Sequence, residues 1–305
     1  MPLKECEITF TVSIAKNYHF WLINFAFPLV GIFKILLCMQ KKVTLRSLLK
    51  KKQQKQKITM VSTYDYLSAK LCDEVGIDSI LVGDSLGMVF KGEENTLGVS
   101  LDEIIYHTKA VKRGAKRAFV IADMPFGSYQ VSLPRAVENV IRVIKETNAD
   151  AVKLEGGKEI LPLVEKLAEI GVAVVGHLGF TPQKIQIFGG AKVVGRREEE
   201  KKRLLEEARG LERAGAVMLV LEATPADIAK EITETLSIPV IGIGAGPHTD
   251  GQVLVFHDLV GLVEDIKPKF VKRYLNASKL FKEALSQYKK EVEEGIFPSE
   301  ENIYE

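Results

Sequence analysis

The chain has 305 residues, 46% of them hydrophobic, and its 42 basic and 40 acidic side chains leave a formal charge of +2. That length allows one large α/β barrel or two ordinary domains with a substantial core, and the near-balanced charge lacks the basic footprint of a nucleic-acid-binding protein. The cysteines are Cys6, Cys38 and Cys72; odd in number and without metal-ligand spacing, they argue against a disulfide framework and for a reducing, cytoplasmic setting.

Residues 1–38 differ in composition from everything after them. Their aromatic and aliphatic run from Phe20 to Leu37 is interrupted by Pro28 and Lys34, and the stretch before Lys34 is shorter than the roughly 20 apolar residues of a membrane span. Met39-Gln-Lys-Lys follows where a signal peptide would need small residues, so a secretory leader is not indicated. Met39 is expected to be the natural start. Residues 1–38 are then an N-terminal extension outside the fold, and residues 39–305 one catalytic domain without a membrane partner. A signal anchor is the alternative.

Val43 to Lys57 is basic, with Leu45, Leu48 and Leu49 at helical spacing, which predicts a short amphipathic helix able to cover the bottom of a barrel. A strand follows over Ile58–Asp65 and a helix over Ser68–Glu74. The second strand, Ser79–Asp84, is an unbroken apolar run that ends abruptly in an acid and a hydroxyl, as a parallel strand buried on both faces does where it meets solvent. After a loop to Gly98, Ser100 or Asp102 should cap a helix to Gly114. Strands are expected at Phe119–Asp123, Ala151–Glu155, Val172–His177, Val217–Glu222 and Ile238–Gly244. Helices are expected at Pro134–Thr147, Lys158–Ile170, Glu198–Ala214, Pro225–Thr235 and Gln252–Leu259. A long connection, 178–197, lacks a clear element. The eighth strand is sought around Gly261–Val263 or Phe270–Val271, before a helix at Ala277–Glu294. Strands alternating with helices indicate a parallel α/β architecture. So many polar residues at successive strand ends favour a closed (β/α)8 barrel, where those ends meet at one rim, over an open sheet.

Asp84, Asp123 and Glu155 end neighbouring strands. Three carboxylates converging there would repel unless protonated or bridged by a cation, and oxygen ligands without Cys or clustered His favour Mg²⁺ or Mn²⁺. The alternative is that each acid caps a helix. Lys153 lies two residues before Glu155 and so shares its face; it either meets an anionic substrate or serves a structural ion pair. Glu222 ends the sixth strand, across the barrel, where it suits a general base. His177 could orient Glu222 or the substrate, or simply be a satisfied hydrogen-bonding residue. Gly242-Ile-Gly-Ala-Gly246 lacks the spacing and the lysine of a phosphate loop and reads as a tight turn.

Thr63-Tyr-Asp-Tyr66, Val82-Gly-Asp-Ser-Leu-Gly87, Ala122-Asp-Met-Pro-Phe126, Lys153-Leu-Glu-Gly-Gly157, Gly176-His-Leu-Gly179, Thr181-Pro-Gln183, Phe188-Gly-Gly190, Leu221-Glu222, Ile238 to Gly246 and Asp250-Gly-Gln252 occur in this order. The set resembles the ketopantoate (3-methyl-2-oxobutanoate) hydroxymethyltransferase family over about residues 43–300. Residues 1–38 have no counterpart in the family pattern. The resemblance implies a (β/α)8 TIM barrel of the phosphoenolpyruvate/pyruvate superfamily type, commonly assembled as a homodecamer of two five-membered rings. It implies transfer of a hydroxymethyl group from 5,10-methylenetetrahydrofolate to the oxoacid, giving 2-dehydropantoate for pantothenate and coenzyme A. Its partners are thus the small-molecule oxoacid and the folate. By the resemblance, Asp84, Asp123 and Glu155 surround Mg²⁺, Asp84, Ser85, Asp123 and Lys153 hold the oxoacid, and Glu222 accepts the proton. Gly98 and Ala223-Thr224 depart from the usual family residues without touching a proposed ligand. Lyases of the same superfamily carry a Lys-Lys-Cys-Gly-His-type motif, which is absent here.

Overall fold

The computed structural model describes residues 41–264 and 268–304; the N-terminal extension and its Phe20–Leu37 run lie outside the described residues. Eight strands, β1 (Ile58–Ser62), β2 (Ser79–Val82), β3 (Phe119–Asp123), β4 (Ala151–Glu155), β5 (Val174–Gly179), β6 (Met218–Glu222), β7 (Val240–Ile243) and β8 (Gly251–Val255), run parallel in chain order. The sheet closes where β8 pairs with β1. Period-two alternation sorts their side chains. Phe119, Ile121, Ala151, Val175, Met218, Val220, Ile241 and Val253 fill the barrel interior, and Ala122, Val152, Leu154, Val174, Leu219 and Leu221 pack outward against helices. Both faces are therefore apolar, which is why the strands read as continuous hydrophobic runs.

The helical layer comprises α2 (Tyr66–Glu74), α4 (Leu101–Gly114), α5 (Leu133–Thr147), α6 (Leu161–Glu169), α8 (Glu198–Arg213) and α9 (Ala226–Thr235), with the short turns α3 (Leu86–Val89), α7 (Ile185–Phe188) and α10 (Phe256–Leu259), and a long α11 (Ala277–Glu293). Before them, α1 (Leu45–Gln53) begins on a Thr44–Ser47 capping box. It plugs the bottom of the barrel: Leu48 is fully buried in the same cluster as Ile58, Met60 and Phe119. Lys51 and Lys52 pin it by ion pairs to Asp78 (2.7 Å) and Asp250 (2.6 Å). The basic run is thus only partly a solvated face, because these two lysines anchor the plug.

The expected barrel is present, with corrections near its closing seam. Gln252–Leu259 is not one helix: Gly251–Val255 is β8, and only Phe256–Leu259 is helical. Gly261–Val263 and Phe270–Val271 are irregular. The first strand stops at Ser62, since Asp65 is needed as the cap of α2, where its carboxylate accepts the Leu67 and Ser68 N–H groups. The fifth strand begins two residues late and continues to Gly179. Ser100, not Asp102, caps α4. The 242–246 glycines are not one tight turn: Gly242 lies within β7 and the chain bends only at 244–245; Gly246 has φ +78°, and a Cβ there would lie 2.6 Å from the Cβ of Ala226.

Candidate active site at the carboxyl-terminal rim

Each interior row changes from apolar to polar as it climbs. Ile121 is followed two residues later by Asp123, Ala151 by Lys153 and Glu155, Val175 by His177, and Val220 by Glu222. Cross-strand register sets these polar residues side by side, with Asp123 opposite Lys153 and Glu155 opposite His177. Asp84 joins them from just beyond β2, donating its N–H to Asp123 Oδ2 at 3.1 Å. Asp84, Asp123, Lys153, Glu155 and His177 are all buried. Glu222 and Ser85 are half-buried.

Lys153 Nζ lies 2.8 Å from Asp123 Oδ1 and 3.4 Å from Glu155 Oε1. Burial alone would discharge this lysine; the charges of Asp123, Glu155 and Asp84 outweigh burial and raise its pKa. For Glu155, burial acts upward, but Lys153 and His177 hold the carboxyl down at about 2. His177 places Nδ1 3.3 Å from Glu155 Oε1 and Nε2 3.3 Å from Glu222 Oε2. Burial and Lys153 oppose its charge, yet the two carboxylates lift its pKa to about 9. The lysine and histidine therefore stand charged between acids.

Asp84 and Asp123 are less well neutralised. Burial first, then the facing acids, pushes Asp84 well above the ordinary carboxylate range. Burial likewise raises Asp123 against the opposing pull of Lys153. Asp123 Oδ1, although close to Lys153, has no properly directed hydrogen-bond donor. Two buried carboxylates that have only the Lys153 ammonium between them, with Asp123 Oδ1 2.8 Å from it, fit Mg²⁺, which uses one or two protein carboxylates and completes its octahedron with water and substrate. Among the described residues no group of three or more His, Cys, Asp or Glu side chains is placed to hold a metal ion. The chemistry of the pair suits a shared cation rather than a structural one.

Sequence reasoning brought these seven residues to one rim, and the structure places all seven there. It gave no role to Gln183, Tyr129 or Tyr64. Gln183 is buried and donates to Asp84 Oδ2 at 2.9 Å from its side chain and to Glu155 Oε2 at 3.0 Å from its backbone. Tyr129 accepts the Glu155 N–H at 3.1 Å. The fully buried Tyr64 shares a 2.7 Å hydrogen bond with Ser85 Oγ. Gln183 stood inside a quoted motif, but an amide in an irregular connection carries no periodic signal.

Glu222 is held by its backbone. Its carbonyl accepts from Phe180 N at 2.9 Å and from Thr224 Oγ1 at 3.0 Å. Gly179 makes room for that carbonyl, since a Cβ there would sit 2.1 Å from it. Above the acids opens a cavity of about 1440 Å³, larger than the roughly 300–1,000 Å³ of a typical small-ligand pocket. The 178–197 connection supplies one wall through Phe180, Pro182, Ile185, Val193 and Arg196.

A family model for ketopantoate hydroxymethyltransferase matches residues 42–300. The chain belongs to this family. The 3-methyl-2-oxobutanoate hydroxymethyltransferase of Aquifex aeolicus is 65% identical over 262 residues, covering 86% of this chain and 99% of that protein. A protein of the same name from Thermus thermophilus is 53% identical over 249 residues, 82% of this chain and 95% of its own. Among solved structures, a phosphonopyruvate hydrolase in complex with oxalate and Mg²⁺ aligns with a TM-score of 0.55 at 12% identity, covering 85% of this chain and 92% of that one. A 2,3-dimethylmalate lyase of the PEP mutase/isocitrate lyase superfamily aligns at 0.52 and 14%, covering 85% and 91%. At such identities these two establish the barrel type alone.

Proposed function

We propose that the chain transfers a hydroxymethyl group from 5,10-methylenetetrahydrofolate to 3-methyl-2-oxobutanoate, yielding 2-dehydropantoate on the route to pantothenate, in a reducing cytoplasm. The observation that carries this reading is the division of the rim: a buried cluster of Asp84, Asp123, Lys153 and Glu155 on one side, and the half-buried Glu222 reached across it through His177. Asp84 and Asp123 would hold Mg²⁺, with Glu155 as the third acid of the set. Bound there, the ion would act as a Lewis acid on the 2-oxo and carboxylate oxygens of the substrate and make its C3 proton more acidic.

The chain's own residues do the rest. Lys153, kept charged by its acids, faces the substrate carboxylate. The Ser85 hydroxyl, fixed by Tyr64, supplies a directed hydrogen bond. Glu222 removes the C3 proton, with the His177 ring 3.3 Å from its carboxylate. Water adds to the one-carbon unit of the folate and its two C–N bonds break to release tetrahydrofolate; the C3 carbanion attacks that carbon, and its oxygen takes up a proton to become the hydroxyl of the product, while the pterin and benzoyl rings would occupy the outer cavity against Phe180, Ile185 and Val193. We also propose that the enzyme works as a homo-oligomer, a reading supported by Phe281, Leu285, Tyr288 and Val292, which stand exposed along α11 among the described residues.

The test is exchange of the C3 proton of 3-methyl-2-oxobutanoate in deuterated water, followed by NMR without folate. Wild-type protein should exchange only with Mg²⁺. Glu222→Gln should bind the oxoacid while slowing exchange by about 100-fold or more. Exchange at the wild-type rate would remove Glu222 from the base role.

A further inference from the structure

We propose that Gln183 is a positioning residue: it fixes the cation-holding carboxylates and couples them to the wall of the outer cavity, so that second-substrate binding is felt at the cation site. The inference rests on the functional reading above. It starts from satisfiability. A glutamine amide offers two N–H donors and two acceptor sites, and Gln183 has a partner for each: Nε2 donates to Asp84 Oδ2 and to the Met124 carbonyl, each at 2.9 Å, while Oε1 accepts from Gln130 Nε2 at 3.1 Å and lies 2.8 Å from Tyr129 OH, whose one proton it shares with the Glu155 carbonyl at 3.0 Å. Neither a flipped amide nor another rotamer could keep that set. The Gln183 backbone N–H donates to Glu155 Oε2 at 3.0 Å. One residue therefore grips two acids from different strands.

The grip selects oxygens. Asp84 Oδ2 is taken by Gln183 and Asp123 Oδ2 by the Asp84 N–H, while Asp123 Oδ1 lacks a directed donor. Among the described residues no hydrogen bond reaches Asp84 Oδ1. Gln183 thus turns Asp84 to leave Oδ1 for a cation, while Asp123 Oδ1 faces the Lys153 ammonium at 2.8 Å, and the turning is done by neighbours, as an outer shell does for metal ligands. Gln183 also belongs to the 178–197 connection. Phe180, Pro182 and Ile185, on either side of it in sequence, line the outer cavity. A ligand that presses on those residues loads a segment whose inward contact is the Asp84 carboxylate.

The probe is Mn²⁺ binding to the full-length protein, titrated by electron paramagnetic resonance with and without tetrahydrofolate, beside thermal unfolding of the metal-free protein. Gln183→Met keeps the chain length and removes all four side-chain hydrogen bonds. It should weaken Mn²⁺ binding by about tenfold or more, the loss expected when a hydrogen bond to a charged group is removed. Tyr129→Phe, which frees Gln183 Oε1 and also removes the hydroxyl's hydrogen bonds with the Glu155 backbone, should give a smaller loss, and the part of it that runs through Gln183 should disappear in the Gln183→Met background; this variant carries the test if Gln183→Met fails to fold. Tetrahydrofolate should tighten Mn²⁺ binding about fivefold in the wild type and leave Gln183→Met unchanged. Lowered thermal stability with unaltered Mn²⁺ affinity in both variants would reduce Gln183 to a structural residue. The same tetrahydrofolate effect in variant and wild type, or none in the wild type, would overturn the coupling. Wild-type protein that binds Mn²⁺ but never exchanges the C3 proton sinks the functional reading, and the variants' Mn²⁺ affinities still decide the positioning role.

Discussion

At the residue scale, Lys153 decides how the rim can exist without its cation. Its ammonium sits among three buried acids, with side-chain exposure of 4% for the lysine and 1% for both Asp123 and Glu155. Removing one partner from a buried ionic set leaves the others uncompensated, at a cost of about 3–5 kcal/mol. Lys153→Met should therefore lower the denaturant midpoint sharply in EDTA. A divalent cation at Asp84 and Asp123 would replace much of the missing charge, so Mg²⁺ should raise the midpoint more in Lys153→Met than in the wild type. Equal Mg²⁺ shifts would mean that the cation does not neutralise this cluster. The acids, the lysine and the histidine were legible in the sequence because each interrupts an apolar run at a strand's end. Gln183 and Tyr129 were not, because they arrive from connections where no period marks which side chain turns inward. Ala223, which follows the proposed base, shows the same limit: it adopts φ +44°, an uncommon conformation for a residue with a Cβ, and nothing in its type announces it.

At the element scale, local chemistry explains both the successes and the miss. The capping box at Ser100 and Glu103 gave α4 its start, and here the box extends into an ion pair: Glu103 accepts the Ser100 N–H at 2.8 Å and meets Lys91 at 2.8 Å. Lys91, then Ser100, draw the Glu103 pKa from 4.5 to about 2. A depressed carboxyl contributes stability that is fully present above its unfolded pKa and is lost as pH falls through the folded one. The contribution should hold above about pH 4.5 and vanish towards pH 2. Glu103 is partly exposed, so solvent screening keeps the effect small. The informative measurement is the difference in urea midpoint between wild type and Glu103→Gln, which should shrink steadily over that interval; a constant difference would show that the charge does not matter. The misread element is β8. Val253-Leu-Val255 runs without a break into Phe256-His-Asp-Leu259, and a short apolar run joined to a helical turn cannot be divided by periodicity alone. What identifies the strand is its pairing with β1 and β7, a non-local fact.

At the scale of the whole molecule, a hydrophobic surface stands exposed among the described residues. Phe281, Leu285, Tyr288 and Val292 recur along α11 at the spacing of one helical face, and they are 56%, 67%, 56% and 46% exposed. Beyond Ala277 and Ser278 no residue of α11 is buried. On α2 and its C-cap, Leu67, Leu71 and Val75 form a second stripe, each more than half exposed. Apolar stripes of this length facing water mark contact surfaces. Where one stripe meets a different stripe on the next copy, the contact is head-to-tail and closes into a ring when the rotation allows, the kind of assembly the family resemblance implies. The functional rim, by contrast, is drawn entirely from the strands and loops of a single barrel. Assembly and enolisation should therefore separate. Leu285→Lys and, independently, Leu71→Lys should lower the mass measured by light scattering at micromolar concentration, while each dissociated barrel keeps Mg²⁺-dependent exchange at C3. Unchanged mass in both variants would assign the stripes to some other contact. Loss of exchange on dissociation, in a variant whose thermal unfolding stays cooperative, would mean that a neighbouring copy completes the site.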